Sequence, residues 1–408
     1  METGTLLALS GGGYRAMLFH VGALWRLNQL GELRKLTHVS SVSGGSIVAG
    51  LLAARWHQLE FDKQGIAARF LAEIAEPLMR LADHTIHTLP TLEGLLPLRS
   101  AGKALARSYE KHLFGKTGLS DMPASPKFIF NATNLQTGAI WTFLKESMGD
   151  SVVGRVREPK IALADVVAAS SAFPPFLSPL KLSLGSVTWE SPPQYSSLMP
   201  SYHDISGRVD KIPDRDLPSF RKSIVLIDGG VADNLGLAAL WNTRGEMYIS
   251  DGGGGTSHVA APPVRNWLWQ MIRVMLLIHG QPSQLRSDIA KSRFAEHDRR
   301  DRPKGRKTLR EDGAYWNMGW PPETHDDVKF PQLKESEIST LRAIKTRLQA
   351  LDEQTKKRLI NWGYCAANRS LPYIARLWSG PSGAAVFSEE ALPFPEAAFG
   401  PESASRSS

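Results

Sequence analysis

The chain opens on a short, uniformly apolar run, Thr5-Leu6-Leu7-Ala8-Leu9. A run of that length bounded by a turn signal reads as a buried strand. Gly11-Gly12-Gly13 make the turn. Met17, Val21, Leu24 and Leu27 then recur at helical spacing. The cycle repeats at once. Residues 37–42 predict a second strand, and a helix from Gly45 carries Ile47, Leu51 and Ala54 on one face. Strand, glycine turn and helix, twice within sixty residues, predict an α/β fold with a parallel sheet.

Further along, the pattern changes. Residues 64–115 predict a largely helical insertion with breaks around Thr85–Thr91 and Pro97. Lys127–Ala132 and Ala139–Phe143 predict two strands joined by the turn Asn134-Leu135-Gln136-Thr137-Gly138. Ile161–Ala169 reads as a helix ending at Phe173-Pro174-Pro175. Residues 186–222, rich in Ser, Pro and Tyr, read as an irregular excursion. Ser223–Ile227 predicts a buried strand running into Asp228. Asp233–Trp241 predicts a helix capped by Asp233 or a neighbour, and Glu246–Ser250 another strand. From 263 onward helices dominate, interrupted by the basic segment Arg299–Lys307 and by Gly313–Gly319. The expected organisation is a core over 1–255 with the insertion at about 64–115, a helical extension over 256–380 packed on it, and a disordered tail over 381–408.

Composition narrows the class. The chain has 408 residues and is 42% hydrophobic, which suffices for a large core in one domain or two. The single cysteine, Cys365, excludes an intrachain disulfide and fits a reducing compartment. Its neighbours Trp362 and Tyr364 make it a packing thiol rather than a nucleophile. No secretory leader precedes the first strand, and no run reaches the ~18 apolar residues of a membrane span. The longest candidate, Val264–Ile278, contains Arg265, Asn266, Gln270 and Arg273. A cytoplasmic location is expected. The net charge of +8 attracts anionic surfaces without naming one. Trp267, Leu268, Met271, Val274, Met275 and Ile278 form an apolar helix face that suits either packed core or transient contact with an anionic membrane. Arg299, Arg300, Arg302, Lys304, Arg306 and Lys307 suit a solvated loop or an anionic lipid. No aromatic residues interleave them, which argues against nucleic acid.

The candidate chemistry lies at three turns. Val39-Ser40-Ser41-Val42-Ser43-Gly44-Gly45-Ser46 places Ser43 where a strand turns sharply into a helix, the setting that exposes a nucleophilic serine. Gly11–Gly13 allow close backbone approach at a helix N-terminus, which suits an oxyanion or a phosphate. No Lys-Ser/Thr pair follows them, so a P-loop is disfavoured. Asp228-Gly229-Gly230 ends a strand, and in a parallel sheet its carboxylate and Ser43 would share the carboxyl edge. A partly desolvated carboxylate there can act as base to a serine. Asp251, before four glycines, is a second candidate, while His258 and His279 have the chain order of a Ser-Asp-His triad. His20, on the first helix, reads as packed or surface. No metal-binding motif is present.

Leu9-Ser10-Gly11-Gly12-Gly13-Tyr14-Arg15, Ser41-Val42-Ser43-Gly44-Gly45 and Asp228-Gly229-Gly230 resemble, in order, the three blocks of the patatin-like phospholipase family. Ala169-Ser170-Ser171-Ala172-Phe173-Pro174-Pro175 and the run from Asp228 through Asn234-Leu235-Gly236 are also similar. The resemblance covers about residues 5–255. It implies a three-layer α/β fold with a mostly parallel central sheet and a Ser-Asp dyad without histidine. Ser43 would be the nucleophile and Asp228 the base. Gly11, Gly12 and Gly13 would form the oxyanion hole, supported by Arg15, Gly45, Gly229 and Gly230. The substrate would be a fatty-acyl ester of a lipid, and no cofactor or metal is implied. Two positions depart from the family: Ser41 replaces the first glycine of G-x-S-x-G, and Ala16 the glycine after the arginine. Two other readings fit the residues, a non-catalytic lipid-binding or regulatory protein on the same fold and a phosphate- or nucleotide-binding α/β protein using Gly11–Gly13.

Overall fold

The computed structural model describes residues 3–86, 100–185, 187–190, 212–241, 243–254, part of 270–289, 313–319, 335–379 and 392–397. The first two units are β1 (Thr3–Leu9), α1 (Gly13–Gln29), β2 (Leu36–Val42) and α2 (Gly44–Arg55). Helices α3 (Glu76–Leu81) and α4 (Ala101–Tyr109) follow. Then come β3 (Lys127–Asn134), β4 (Ile140–Leu144), β5 (Ser147–Asp150), β6 (Gly154–Arg157) and α5 (Leu163–Ser170). Next are β7 (Leu180–Ser183), β8 (Trp189–Glu190), α6 (Leu217–Lys222), β9 (Ser223–Asp228), α7 (Gly230–Asp233) and β10 (Arg244–Asp251). The chain continues with β11 (Gly313–Asn317), α8 (Glu335–Ala343) and α9 (Glu353–Ser379).

Among the described residues, eleven strands join one sheet, ordered β11-β10-β1-β2-β3-β4-β5-β6-β8, with β9 pairing β3 and β7. The five strands from β11 to β3 are parallel, and an antiparallel wing continues from β3. The expected α/β architecture is therefore present. The uninterrupted apolar runs reflect burial on both faces. Leu7, Leu9, Phe128 and Phe130 enter one core cluster, while their strand neighbours Leu6, Ala8 and Ile129 enter another.

Three predicted elements differ. The helix expected over Asp233–Trp241 is a series of turns after the short α7. The Asp233 carboxylate accepts from the Leu235 and Ala238 amides, and Gly236 sits at φ +68°, so helical propagation stops. The turns still place Leu235, Leu237, Ala239 and Leu240 on the second sheet face. Gly313–Gly319, expected as an interruption among helices, supplies β11, paired in parallel with β10. Residues 392–397, expected within an unstructured tail, dock on α9. There Phe394 exchanges hydrogen bonds with the Asn361 side chain and packs edge-on against Trp25.

Helix α1 is buried almost all round because α9 crosses it. The crossing is close enough to need glycine on both helices. A Cβ on Gly22 would lie 1.8 Å from the Ile360 carbonyl oxygen, and one on Gly363 would lie 1.8 Å from that of Phe19. Cys365 is buried beside this contact, and burial raises its thiol to about 12, which keeps it protonated and inert.

Candidate active site

Ser43 follows the last residue of β2 and caps the N-terminus of α2 at φ 51°, ψ −117°. Positive φ is costly for a residue with a Cβ, and such strain persists only where the surroundings hold it. The neighbouring glycines permit this turn. A Cβ on Gly44 would lie 2.3 Å from the Gly13 carbonyl oxygen, and one on Gly45 would lie 2.4 Å from that of Leu9. The Gly45 amide donates to the Ser10 carbonyl at 3.1 Å. The glycine loop after β1 is thereby pressed directly against the Ser43 turn.

Asp228 reaches Ser43 from an unexpected direction. Strand β9 runs antiparallel to β3 and continues the β3 edge that β2 vacates. Val42 pairs with Asn131, and Asp228 pairs with the next residue, Ala132. The ends of β2 and β9 thus meet head-on instead of lying side by side on one carboxyl edge. Gly229 allows the close passage, since a Cβ there would lie 2.2 Å from the Asn131 carbonyl oxygen.

The Asp228 carboxylate is buried. Its Oδ1 accepts from the Gly230 amide at 2.7 Å, while Oδ2 is buried with no formed hydrogen bond among the described residues. The Ser43 hydroxyl approaches closely enough to favour the charged form, yet the contact is looser than a normal hydrogen bond. Desolvation dominates and pushes the Asp228 carboxyl from 3.8 up to about 6, against the lowering by Ser43 and Gly230. Asp251 differs. Its Oδ1 accepts from the Gly253 amide at 2.9 Å, and its Oδ2 accepts from the hydroxyls of Tyr315 at 2.8 Å and Ser287 at 3.3 Å. Among the described residues, Asp228 rather than Asp251 presents an oxygen without a hydrogen-bond partner. His258 and His279 lie outside the described residues.

Within the glycine loop, the Gly11 amide is already committed to the Asn234 carbonyl at 3.0 Å. Gly12 (φ +145°) and Gly13 (φ +61°) keep their amides without a partner among the described residues. The loop is braced from below by His20. Its Nε2 contacts the Ser10 carbonyl at 2.9 Å and its Nδ1 the Ser250 hydroxyl at 2.7 Å. A carbonyl only accepts, so Nε2 carries the proton and Nδ1 accepts from Ser250. Burial lowers His20 to about 4, which keeps this tautomer neutral. Arg15 is buried and donates to the carbonyls of Gly252 and Ile344 and to the Thr346 hydroxyl, tying residues 344–347 to α1. Its guanidinium is lowered to about 10, chiefly by burial. Arg15 thus supports the loop structurally. A cleft of about 660 Å³ between β6, β7 and residues 158–161 shares no residue with the site.

The patatin-like phospholipase family matches residues 7–241, and the chain belongs to that family. No curated protein matches the sequence. Among solved structures, human GIVD cytosolic phospholipase A2 is similar at a TM-score of 0.50 and 14% identity, over 89% of this chain and 58% of that one. VipD from Legionella pneumophila aligns at a TM-score of 0.34 and 14% identity, over 90% of this chain and 66% of its own. The chain therefore spans less than two thirds of either protein. The likeness to the human phospholipase is one of fold.

Proposed function

We propose that the protein is a serine lipid acyl hydrolase that cleaves fatty-acyl carboxylic esters through an acyl-enzyme on Ser43. The observation that carries this reading is the strained, glycine-flanked Ser43 facing a buried carboxylate whose Oδ2 has no other partner among the described residues. Asp228 takes the proton from Ser43 Oγ as that oxygen attacks the acyl carbon. The Gly12 and Gly13 amides receive the negative charge that develops on the carbonyl oxygen. Collapse of the intermediate breaks the ester C–O bond, and the leaving alcohol takes the proton held by Asp228. Water repeats the sequence, with Asp228 again as base, and the fatty acid leaves. Membrane contact belongs to the same proposal. Leu285 and Ile289 are exposed one helical turn apart, and Arg286 between them binds the Ala232 carbonyl and Asp233 at the end of α7. Val231, on α7 itself, is also exposed. Exposed apolar side chains on and near α7, which follows Asp228 in the chain, suit a lipid surface.

Labelling with a fluorophosphonate, with fatty-acid release from mixed phospholipid vesicles followed in parallel, tests the reading. Ser43→Ala is expected to abolish both signals in a folded protein. Absence of labelling in the wild type would favour a non-catalytic lipid-binding role.

The pH profile gives a second test. Asp228 must be ionised to act as base, and its carboxyl sits at about 6. Activity (kcat/KM) is expected to fall below that pH, about tenfold per unit. An acid limb near 4, the range of an unperturbed carboxylate, would contradict a buried base.

A further inference from the structure

We propose that Ser170 is a positioning residue that holds the Ser43 turn and the Asp228 turn in mutual register. The inference rests on the acyl-hydrolase reading. Strands β2 and β9 meet end to end on β3, so no ladder hydrogen bond joins Ser43 to Asp228 directly. The join is made by the end of α5. Ser170 Oγ accepts from the Ser43 amide at 3.1 Å and donates to the Asn131 carbonyl at 2.6 Å. The Ser170 carbonyl accepts from the Gly229 amide at 3.1 Å, and two residues on the Ala172 carbonyl accepts from the Asp228 amide at 3.0 Å. One serine thus binds the nucleophile's turn through its side chain and the base's turn through its backbone.

Burial makes the arrangement stiff. Ser170 is inaccessible to solvent, as are Ser41 and Ser46. Ser46 Oγ lies 2.8 Å from Ser170 Oγ and 3.0 Å from Ser41 Oγ, which fixes the hydroxyl that receives the Ser43 amide. The strained dihedrals of Ser43 need an anchor of this kind. Losing the hydroxyl leaves the Ser43 amide buried and unpaired. The turn then has one restraint fewer against relaxing away from Asp228. A displacement of under an ångström between nucleophile and base costs turnover more than substrate binding.

The test compares wild type with Ser170→Ala, Ser170→Cys and Ser170→Thr on a soluble acyl ester, reading kcat and KM separately, the rate of fluorophosphonate labelling, and the thermal midpoint. Ser170→Ala is expected to lower kcat and the labelling rate together, about 10–100-fold, with KM within about twofold. The acid limb should move to higher pH, because the Ser43 contact that favours the ionised Asp228 is weakened. Ser170→Thr, which keeps the hydroxyl, should recover most of kcat. Cysteine fills similar volume with a weak acceptor, so Ser170→Cys should be impaired, and it carries the test if the alanine variant does not fold. Wild-type kcat in folded Ser170→Ala or Ser170→Cys would overturn the proposal, as would a loss confined to thermal stability. Ser43→Ala, run alongside, separates the two levels. Activity retained there would sink the acyl-hydrolase reading itself, whereas activity lost there but kept at Ser170→Ala would sink only the positioning role.

Discussion

Asp228→Asn is expected to abolish turnover and to raise the thermal midpoint. Both effects have one cause. The carboxylate is buried with Oδ2 unpartnered among the described residues, and burial lifts its pKa from 3.8 to about 6. A carboxyl raised in the folded state contributes stability in full below its unfolded pKa, and that contribution is lost as pH rises through the folded value. Between about pH 4 and 6 the protein therefore loses on the order of 3 kcal/mol, and it stays without it at neutral pH. Asparagine keeps the shape and can still accept from the Gly230 amide, but it carries no charge to desolvate. It also cannot take a proton from Ser43, so kcat should fall by at least about a thousandfold, by analogy with the removal of an essential base. Calorimetry at pH 5 and pH 8 checks the stability half. The gain from Asp228→Asn should be larger at pH 8. A loss of stability at pH 8 would show that the charged carboxylate is better satisfied than this site implies.

Gly363→Ala is expected to destabilise the protein by at least about 3 kcal/mol, at or beyond the upper end of ordinary overpacking. The added Cβ would lie 1.8 Å from the Phe19 carbonyl oxygen. That atom belongs to helix backbone and cannot turn aside as a flexible side chain would, so α1 and α9 must separate. Their separation opens an extensive helix contact and gives up dispersion and burial along its length. The helix that moves also carries the glycine loop at its N-terminus, so residual activity should fall with stability. Urea denaturation of Gly363→Ala against Gly185→Ala is the measurement, because a Cβ at Gly185 meets nothing within 4 Å. Equal midpoints for the two variants would show that the crossing is looser than described.

The first two strand–turn–helix units, the Lys127–Phe143 hairpin and the strand before Asp228 were legible because each is written in local periodicity and turn chemistry. The glycine, serine and aspartate turns were legible for the same reason, since each places a distinctive residue at the end of a buried run. Other features left no local trace. Gly11–Gly13 read as equivalent donors, but only the fold brings Asn234 to the Gly11 amide and leaves those of Gly12 and Gly13 without a partner among the described residues. Asp228 and Asp251 have similar settings in sequence, and only the packing of Tyr315 and Ser287 saturates Asp251. Ser170 stood within a stretch similar to the family, but its two-sided hold on the site depends on residues more than fifty positions away on either side.

Sequence alone determined the α/β class, the order of the early elements, and that Ser43 and two candidate aspartates, Asp228 and Asp251, stand at strand-end turns. These follow from the period of apolar residues and the backbone freedom of glycine, both properties of a few neighbouring positions. Tertiary structure decided that β9 runs antiparallel and meets β2 head-on, that Gly313–Asn317 becomes an edge strand, that Gly236 ends an apparent helix, and that two helices touch through Gly22 and Gly363. Each of those depends on which distant backbone occupies an edge or a face. That choice is set by burial and hydrogen-bond completion across the whole chain.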